Sequence, residues 1–307
     1  MAKNILVIKL GALGDFICAL GAMKAIREHH SEDHITLLTT KPFIEFAEKS
    51  GYFDKIETDQ RPKLLQLKKW IGLRQQLNKG YYNRVYDLQN NDRTSIYFRL
   101  FSPKPEWVGA AKGASHHYDA PERTAGLPLD GLKLLLENAG IENIIVDPMD
   151  WIDTDISKLG LKENYALIVP GAAPSRPEKK WPTEKYIALC QEIADQDIQP
   201  VLIGGNAEVD IAKEIKAQCP SALDLTNQTS LFDIITLGRG AKIAIGNDTG
   251  PMHMIGPTGT PTIVLFSEFS NPKRNAPMGD QVIALQKEKF IDLNVSDVMD
   301  TIKPLLD

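Results

Sequence analysis

The chain has 307 residues, 43% of them hydrophobic and 24% charged, which favours a globular protein of about two domains. Its formal net charge of -5 offers no global basic field for nucleic acid, and no apolar run approaches the roughly 18 residues of a membrane span. Cys18, Cys190 and Cys219 lack metal or redox spacing, and the amino terminus has no signal-like apolar region. These features predict a cytoplasmic protein with reduced thiols.

Strand and helix patterns alternate along the first half of the chain, which predicts a parallel sheet covered by helices. The predicted strands are 4–9, 34–39, 54–58 and 83–88, and the predicted helices are 14–28, 41–50, 63–79, 90–100 and 129–139. The segment 101–124 has no clear period and is rich in Gly, Pro and His. It is predicted to be a long loop, and long loops in compact domains are often functional.

The predicted helix 63–79 combines many cations with an apolar stripe, and two interpretations of it stay open. The cations and apolar residues are Lys63, Lys68, Lys69, Arg74 and Lys79 with Leu67, Ile71 and Leu77. A basic amphipathic helix can lie on an anionic membrane, which would give the protein peripheral contact with the inner membrane surface. The same pattern is typical of an ordinary surface helix whose cations are solvated.

The second half repeats the alternation after a connector, 144–161, that mixes Pro, Asp and Gly. We therefore predict two domains, 1–155 and 156–307. The strands predicted in the second are 165–169, 200–203, 222–225, 242–246 and 261–265, and the helices are 183–196, 206–217, 230–238, 249–256 and 295–306. The predicted fold is α/β, with two doubly wound parallel sheets that face each other across a cleft and bind ligands at the carboxyl ends of their strands.

Gly11-Ala12-Leu13-Gly14-Asp15 follows the first predicted strand. The glycines permit a tight turn, and Asp15 falls near a helix amino terminus. Asp15 is either a capping carboxylate or a base that faces the cleft. The spacing matches neither the dinucleotide fingerprint nor the phosphate-binding P-loop.

Asn247-Asp248-Thr249-Gly250 ends an apolar strand in the second domain and begins a short helix. Backbone N–H groups at such a turn are free to bind a phosphate. His253 lies one helical turn further on, where it can donate to a phosphate or hold the loop. An anion cradle in one half and a candidate base in the other together suggest group transfer from a nucleotide.

Two more loops of the second domain carry groups suited to a nucleotide. The loop 170–182 brings Ser175, Arg176, Lys179 and Lys180 to the end of the sheet that bears Asp248, although a Lys-Lys pair is often only a solvated surface. In Gly204-Gly205-Asn206-Ala207-Glu208, the last residue can bind ribose hydroxyls or complement a helix dipole. In the first domain, Asp87 to Ser95 ends a strand with polar groups, including Gln89 and Arg93, at which an acceptor could bind.

Taken together, these stretches resemble glycosyltransferase family 9, the bacterial lipopolysaccharide heptosyltransferases. The matching segments are 8–15, 87–89, 176–182, 204–208 and 247–253, which come in the family's order and span nearly the whole chain. The resemblance implies the GT-B fold, with an acceptor-binding first domain and a nucleotide-sugar-binding second domain. It also implies an inverting, metal-independent transfer of heptose from ADP-heptose to a lipopolysaccharide inner-core or related glycan acceptor, without a cofactor.

Residue by residue, the resemblance makes Asp15 the general base and Lys179 the diphosphate contact. Thr249 and Gly250 become the backbone cradle that Asp248 and His253 organise. The other implied donor contacts are Ser175, Arg176 and Glu208, and the acceptor-side candidates are Gly14, Gln89 and Arg93.

Other functions remain to be weighed. The chain could be a GT-B enzyme for another nucleotide sugar, as a transferase or an epimerase, or a non-catalytic nucleotide-sugar-binding protein. Asp153-Thr154-Asp155 has the Asp-x-Asp form that holds a metal in one class of sugar transferases. We reject it because it lies in the connector among other acids, and the histidines and cysteines have no metal-ligand spacing.

Overall fold

The computed structural model describes residues 2–172 and 175–306, apart from the side chains of residues 122 and 123. The chain divides into two compact units, Met1–Asp147 and Pro148–Asp307, which are called the N-terminal and C-terminal units here. The division falls within the connector 144–161. Residues 173 and 174 of the predicted ligand loop 170–182 lie outside the described residues.

The N-terminal unit is a parallel sheet flanked by helices. Its strands are β1 (Asn4–Ile8), β2 (His34–Thr39), β3 (Lys55–Thr58), β4 (Arg84–Asp87), β5 (Glu106–Gly109) and β6 (His116–His117). Its helices are α1 (Leu13–Cys18), α2 (Leu20–His29), α3 (Ile44–Ser50), α4 (Leu67–Lys79), α5 (Asp92–Phe98) and α6 (Pro128–Glu137), with short 3₁₀ turns between some elements. The strand order β3-β2-β1-β4-β5-β6 is that of a Rossmann fold.

The C-terminal unit repeats this architecture. Its strands are β7 (Tyr165–Val169), β8 (Gln199–Leu202), β9 (Leu223–Asp224), β10 (Ile243–Asn247), β11 (Thr262–Phe266) and β12 (Val282–Gln286). Its helices are α7 (Thr183–Ala194), α8 (Val209–Gln218), α9 (Leu231–Gly240), α10 (Gly250–Ile255), α11 (Pro272–Asn275) and α12 (Val295–Leu306). The order β12-β11-β10-β7-β8-β9 is the same Rossmann order read from the opposite edge.

The central strands are continuous apolar runs because helices cover both of their faces. In β1, four of the five residues are buried, and in β7 all five are. Parallel sheets covered on both sides favour such runs over alternating patterns. Each unit therefore has its own core, built around Trp107 in the N-terminal unit and around Trp181 and Tyr186 in the C-terminal unit.

The structure corrects several predicted elements. The predicted loop 101–124 contains β5 and β6, which are too short to show a period and are fixed by pairing, as where Val85 lies beside Trp107. The edge strand β12 and the one-turn helix α11 were not predicted. The predicted helix 14–28 is divided at Ala19 into α1 and α2, and the predicted helix 63–79 begins only at Leu67.

Candidate active site

Four of the five predicted ligand loops follow the strands at which strand order reverses, and the fifth, 204–208, follows β8 beside them. In the N-terminal unit this switch point lies between β1 and β4, where Ile8 pairs with Asp87. In the C-terminal unit it lies between β7 and β10, where Val169 pairs with Gly246. Open α/β sheets bind ligands just outside the carboxyl ends of the strands at such a point. The loops that begin at residues 9, 87, 170 and 247 are therefore placed where ligands are expected.

Asp15 is exposed in the first turn of α1, and its Oδ2 accepts a hydrogen bond from the Ala12 N–H at 3.3 Å. The carboxylate therefore caps its own helix, which is the first of the two roles that the sequence left open for Asp15. A cap of this kind occupies one oxygen and leaves the side chain in contact with solvent. Capping and a role as a base are compatible, because the second oxygen keeps its lone pairs.

Gln89 supports the loop that carries Asp15. Its Oε1 accepts a hydrogen bond from the Leu10 N–H at 2.9 Å, and its own N–H donates to the Ile8 carbonyl at 3.0 Å. The half-buried side chain thus ties the end of β4 to the turn after β1. Gln89 acts here on the backbone of the loop, whereas the sequence suggested a contact with an acceptor. Gly14 lies beside Asp15 in α1 and is half-buried.

Lys9 and Asp87 form a buried charged layer beneath this loop, with 6% and 0% of their surfaces exposed. The Lys9 Nζ donates to the Leu88 carbonyl at 3.1 Å, and the Asp87 Oδ1 accepts from the Asn90 N–H at 2.8 Å. Burial lowers the pKa of Lys9, an effect that the negative charge of Asp15 opposes. Burial raises the pKa of Asp87 to about 6, opposed by Thr94, the Asn90 N–H and Lys9.

Arg93 points to a different contact from the one that the sequence suggested. Its Nη1 donates to the Pro62 carbonyl at 3.1 Å, so it ties α5 to the segment before α4. The side chain is half-buried. This contact makes Arg93 a structural link within the N-terminal unit.

The switch point of the C-terminal unit opens on a cavity of about 340 Å³. Small-molecule sites commonly have volumes of about 300–1,000 Å³, with mostly apolar walls and a few polar groups. The walls are formed by Val169, Gly171, Ala172, Ile203, Gly204, Gly205, Ala207, Glu208, Thr229, Leu231, Ile234, Thr249 and Pro251. Predicted loops supply several of these residues, but Thr229, Leu231 and Ile234 were not predicted. Their only signal was the position of their loop after β9, since an apolar residue carries no mark of a ligand.

Glu208 lies across the two glycine-bearing loops. Its Oε2 accepts a hydrogen bond from the Gly205 N–H at 2.9 Å. A Cβ built on Gly171 would lie 2.6 Å from the Glu208 Cδ, and one on Gly204 would lie 2.5 Å from the Glu208 Cβ. The glycines are therefore needed to make room for this carboxylate, which lines the cavity.

Asn247 is fully buried, and the sequence alone indicated no role for it. Its Oδ1 accepts hydrogen bonds from the Trp181 N–H at 3.1 Å and the Tyr186 hydroxyl at 2.9 Å. Its Nδ2 donates to the Pro170 carbonyl at 2.7 Å and the Gly171 carbonyl at 3.1 Å. One amide thus ties β10 to both ends of the loop after β7, and its full set of bonds makes it costly to replace.

Lys179 and Asp248 form an ion pair at the end of β10. The Lys179 Nζ lies 2.5 Å from the Asp248 Oδ2, and their side chains are 16% and 7% exposed. The Ser270 hydroxyl donates to the same carboxylate oxygen at 2.5 Å. Asp248 therefore holds the ammonium group at the switch point. Ser270 was missed, because it comes from the loop after β11 and no motif marks it.

The remaining predicted donor residues lie on the loop 170–182 and on α10. Arg176 is exposed, bonds to Glu178 and donates to the Phe269 carbonyl at 3.2 Å, while Ser175 is exposed in a turn. The Arg176 guanidinium lowers the pKa of the Glu178 carboxyl. His253 is half-buried in the last turn of α10.

Thr249 and Gly250 begin α10, and their N–H groups precede the first intrahelical bond, from the Met252 N–H to the Thr249 carbonyl at 3.1 Å. Pro251 supplies no N–H, so this turn offers two donors where an ordinary helix start offers four. Because α10 has only six residues, its dipole is small, and Lys179 is the charged donor held at this point by Asp248.

Within residues 2–172 and 175–306, no three His, Cys, Asp or Glu side chains are grouped so as to hold a metal ion. None of the helices described there is long and apolar enough to cross a membrane.

Two Rossmann-like units with polar loops at their switch points define the GT-B class of fold, as the sequence predicted. The sequence profile described as Glycosyltransferase family 9 (heptosyltransferase) matches residues 139–301, so the chain belongs to that family and is a glycosyltransferase. The predicted resemblance is confirmed.

Known proteins of similar sequence and structure agree. Lipopolysaccharide core heptosyltransferase OpsX of Haemophilus influenzae is 24% identical over 303 residues, which cover 93% of this chain and 85% of that protein. The glycosyltransferase family 9 structure from Veillonella parvula has a TM-score of 0.84 at 20% identity and covers 99% of this chain and 97% of its own. The E. coli heptosyltransferase WaaC with ADP has a TM-score of 0.76 at 16% identity, covering 98% and 99%. At such identities the structural likenesses speak for the fold.

Proposed function

We propose that the protein is an inverting, metal-independent glycosyltransferase that moves heptose from ADP-heptose to a lipopolysaccharide inner-core or related glycan acceptor. The observation that carries the proposal is the chemistry at the two switch points. One bears an exposed carboxylate, Asp15, and the other bears an ammonium group, Lys179, beside a cavity of about 340 Å³. A base and a diphosphate site are the two groups that such a transfer needs.

The cavity supports a nucleotide donor. Its apolar walls, among them Val169, Ile203 and Leu231, suit the flat face of a base, and Glu208 supplies a carboxylate for ribose hydroxyls. Thr249 is also a wall residue, so the N–H donors at the start of α10 adjoin the same space. The solved relative WaaC contains ADP, which is the nucleotide that we propose for this chain.

In the proposed reaction, the oxygen of the acceptor hydroxyl attacks the anomeric carbon of the heptose while Asp15 takes the proton of that hydroxyl. The bond from that carbon to the diphosphate oxygen breaks, and ADP leaves. Negative charge grows on the diphosphate, where Lys179 and the N–H groups of Thr249 and Gly250 stabilise it. Asp248 and Ser270 hold Lys179, so little reorganisation is needed when the charge develops.

The proposal includes the donor-side residues Ser175, Arg176 and His253 as lesser contacts around the diphosphate and sugar. Gly14, Gln89 and Arg93 remain acceptor-side proposals, and the contacts above favour a supporting role for Gln89 and Arg93. A glycolipid acceptor places the enzyme in the cytoplasm, in peripheral contact with the inner face of the membrane.

A donor panel tests the proposal. The enzyme is incubated with an inner-core lipid acceptor and either ADP-heptose or UDP-sugars, and the products are measured by mass spectrometry. We expect transfer only from ADP-heptose, unchanged in EDTA, with inverted anomeric configuration by NMR. Transfer from a UDP-sugar alone would favour another GT-B enzyme, and ADP-heptose binding without turnover would favour a binding protein. Loss of activity in EDTA would contradict metal independence.

A further inference from the structure

Four large apolar side chains lie in water at the start of α4. Leu64, Leu65, Leu67 and Ile71 are 80%, 95%, 72% and 58% exposed. Leu67 and Ile71 are four residues apart and share one face of the helix, and Leu64 and Leu65 lie in the turn just before it. The segment 63–71, called the leucine patch here, is therefore a concentrated apolar surface. Such patches usually mark an interaction site.

The patch is held in shape by its own hydrogen bonds. The Gln66 Oε1 accepts from the Lys63 N–H at 3.1 Å, and the Trp70 indole donates to the Lys63 carbonyl at 3.1 Å. The inward side of α4 is anchored separately, because Leu73 and Leu77 are buried in the core of the N-terminal unit. The leucines are thus exposed on a turn that has its own hydrogen bonds, while other side chains anchor α4 to the core.

The charged side chains of the segment that carries the patch have a single sign. Residues 61–79 contain six cationic side chains and no acidic one, in a chain whose net charge is -5. Lys63, Lys68 and Lys69 are exposed within the patch itself. Apolar residues fringed by cations fit a surface that is apolar inside and anionic outside, which is the chemistry of an anionic lipid bilayer.

We propose that the leucine patch docks the enzyme on an anionic lipid bilayer. The leucine side chains enter the interfacial region, and the neighbouring lysines meet lipid phosphates. A second copy of the chain is a poorer occupant, because a two-fold interface would place each set of cations against the other. The inference deepens the proposed function by naming the surface that brings the enzyme to a lipid-linked acceptor.

A cavity beside the patch offers room for a headgroup. It has a volume of about 340 Å³, and Lys68, Lys69 and Gly72 of α4 form part of its wall. Asp59 also lies in the wall, but its carboxylate is engaged by the Tyr97 hydroxyl at 2.6 Å and the Arg61 N–H at 2.7 Å. The two lysines are therefore the cationic groups of this wall that can meet a phosphate.

Vesicle co-sedimentation of the full chain tests the proposal without any turnover, so its failure is separate from failure of the proposed donor. The probes are phosphatidylcholine vesicles with and without phosphatidylglycerol, at low and high salt. We expect binding only to the anionic vesicles, weaker at high salt, and a loss of about tenfold or more in affinity for Leu64→Gln/Leu65→Gln. The matched control is Ile145→Gln/Ile291→Gln, which changes side chains 63% and 57% exposed outside the patch and should bind like the wild type.

A label reports the depth of residue 65 directly. The three native cysteines are buried, so Leu65→Cys can be labelled selectively with an environment-sensitive dye. We expect a blue shift on anionic vesicles that the same dye on Ile145→Cys does not show. A wild type that does not bind, a double glutamine variant that binds normally, or a dye that stays in water would each overturn the proposal. Self-association that the glutamine variant abolishes, without vesicle binding, would overturn it in favour of a second copy. Thermal unfolding confirms that each variant is folded.

Discussion

The two units have the same strand order, yet a different kind of side chain links the two switch strands within each unit. In the N-terminal unit the joining side chain is ionisable, since the buried Lys9 donates across to the Leu88 carbonyl at 3.1 Å. In the C-terminal unit it is neutral, since Asn247 donates across to the Pro170 carbonyl at 2.7 Å. Both bonds run from the end of one switch strand to the end of the other. The ends of the two switch strands are therefore linked by a buried lysine in one unit and by an asparagine amide in the other.

The two units also differ in how far a lysine near the switch point is exposed to solvent. In the N-terminal unit Lys9 lies buried beneath the Asp15 loop, and the negative charge of Asp15 opposes the burial that lowers the pKa of Lys9. In the C-terminal unit the cation is Lys179, which is paired with Asp248 and has 16% of its side chain exposed. The lysine of the N-terminal unit is thus enclosed beneath its own loop, whereas Lys179 is partly exposed, as the diphosphate contact proposed for it requires.

Asp15 gives the largest expected effect on this comparison. Asp15→Asn keeps an oxygen for the Ala12 N–H but removes the base, so we expect transfer to fall by about 10²–10⁴-fold. Binding of ADP, measured by calorimetry, should be retained, because that site lies in the other unit.

The chain supplies a matched control in Asp130. Its Oδ2 accepts from the Leu127 N–H at 3.2 Å, the same contact within α6 that Asp15 makes within α1. Asp130→Asn therefore removes a first-turn charge, worth about 0.3–1 kcal/mol, without touching the switch point. It should transfer like the wild type. Equal turnover by Asp15→Asn and Asp130→Asn would mean that Asp15 is only a cap.

Asp87 gives the next largest effect, on stability. Its pKa is about 6 in the folded protein against an ordinary 3.8, so the folded state binds the proton more tightly. Its contribution to the free energy of unfolding is present below about pH 4 and is lost as the pH rises through about 6. Asp87→Asn cannot lose a proton, so we expect its stability relative to the wild type to rise by on the order of 3 kcal/mol between those limits.

Hydrogen exchange of peptides from β1 and β4, compared between variant and wild type at each pH, reads this unit separately from the other. Asp92→Asn, which changes an exposed carboxylate of the same unit, should give no such trend. A flat difference for Asp87→Asn across the range would show that Lys9 keeps Asp87 charged, and the buried layer would then be a permanent ion pair.

The central strands and the ligand loops could be predicted from the sequence because each is a local signal. The strands β1 and β7 are apolar runs, and polar or glycine-rich stretches follow them directly. The parallel arrangement then places these loops at a common edge. The edge strand β12, where no residue is buried, carries no such run and was missed, whereas the edge strands β3 and β9 were predicted at 54–58 and 222–225.

The contacts that complete the site could not be predicted, because they join distant parts of the chain. Lys179 and Asp248 are 69 residues apart, and Ser270 comes from a third loop. The exposure of Leu67 and Ile71 was likewise not visible in the sequence, since a pattern of period 3.6 does not say which apolar stripe faces the core. In the structure, the side of α4 that carries Leu73 and Leu77 is the buried one.

The next prediction tests whether Lys179 of the C-terminal unit binds ADP. Hydrogen bonds to charged groups contribute about 1.5–3 kcal/mol, so we expect Lys179→Ala to weaken ADP binding by about 10- to 100-fold in calorimetry. Lys180→Ala changes the adjacent half-buried lysine and should leave the affinity near that of the wild type. If both variants bind ADP equally well, the ammonium group serves only Asp248, and the C-terminal unit would resemble the N-terminal one in keeping its cation for itself.

Alanine substitutions at Gly171 and Gly204 give the smallest expected effects. Both meet Glu208, but one should act mainly on ligand binding and the other mainly on stability. In Gly204→Ala the new Cβ meets the Glu208 Cβ at 2.5 Å, an atom that moves only with its backbone, so we expect a loss of about 1–3 kcal/mol in stability. In Gly171→Ala the Cβ meets the Glu208 Cδ at 2.6 Å, near the flexible end of the side chain. That end can swing away, so stability should fall less, while displacement of the carboxylate from the cavity wall lowers ADP affinity.

Removing the carboxylate distinguishes the two clashes. Glu208→Ala deletes the atoms that Gly171→Ala would strike but keeps the Cβ that Gly204→Ala would strike. In a double-mutant cycle read by thermal unfolding, Gly171→Ala should therefore cost nothing once Glu208 is alanine, whereas Gly204→Ala should still destabilise. Equal costs in both backgrounds would show that the glycines make room for the backbone alone. Glu208 would then be the dipole-complementing residue of its own short helix, and the ribose contact would have to come from another wall of the cavity.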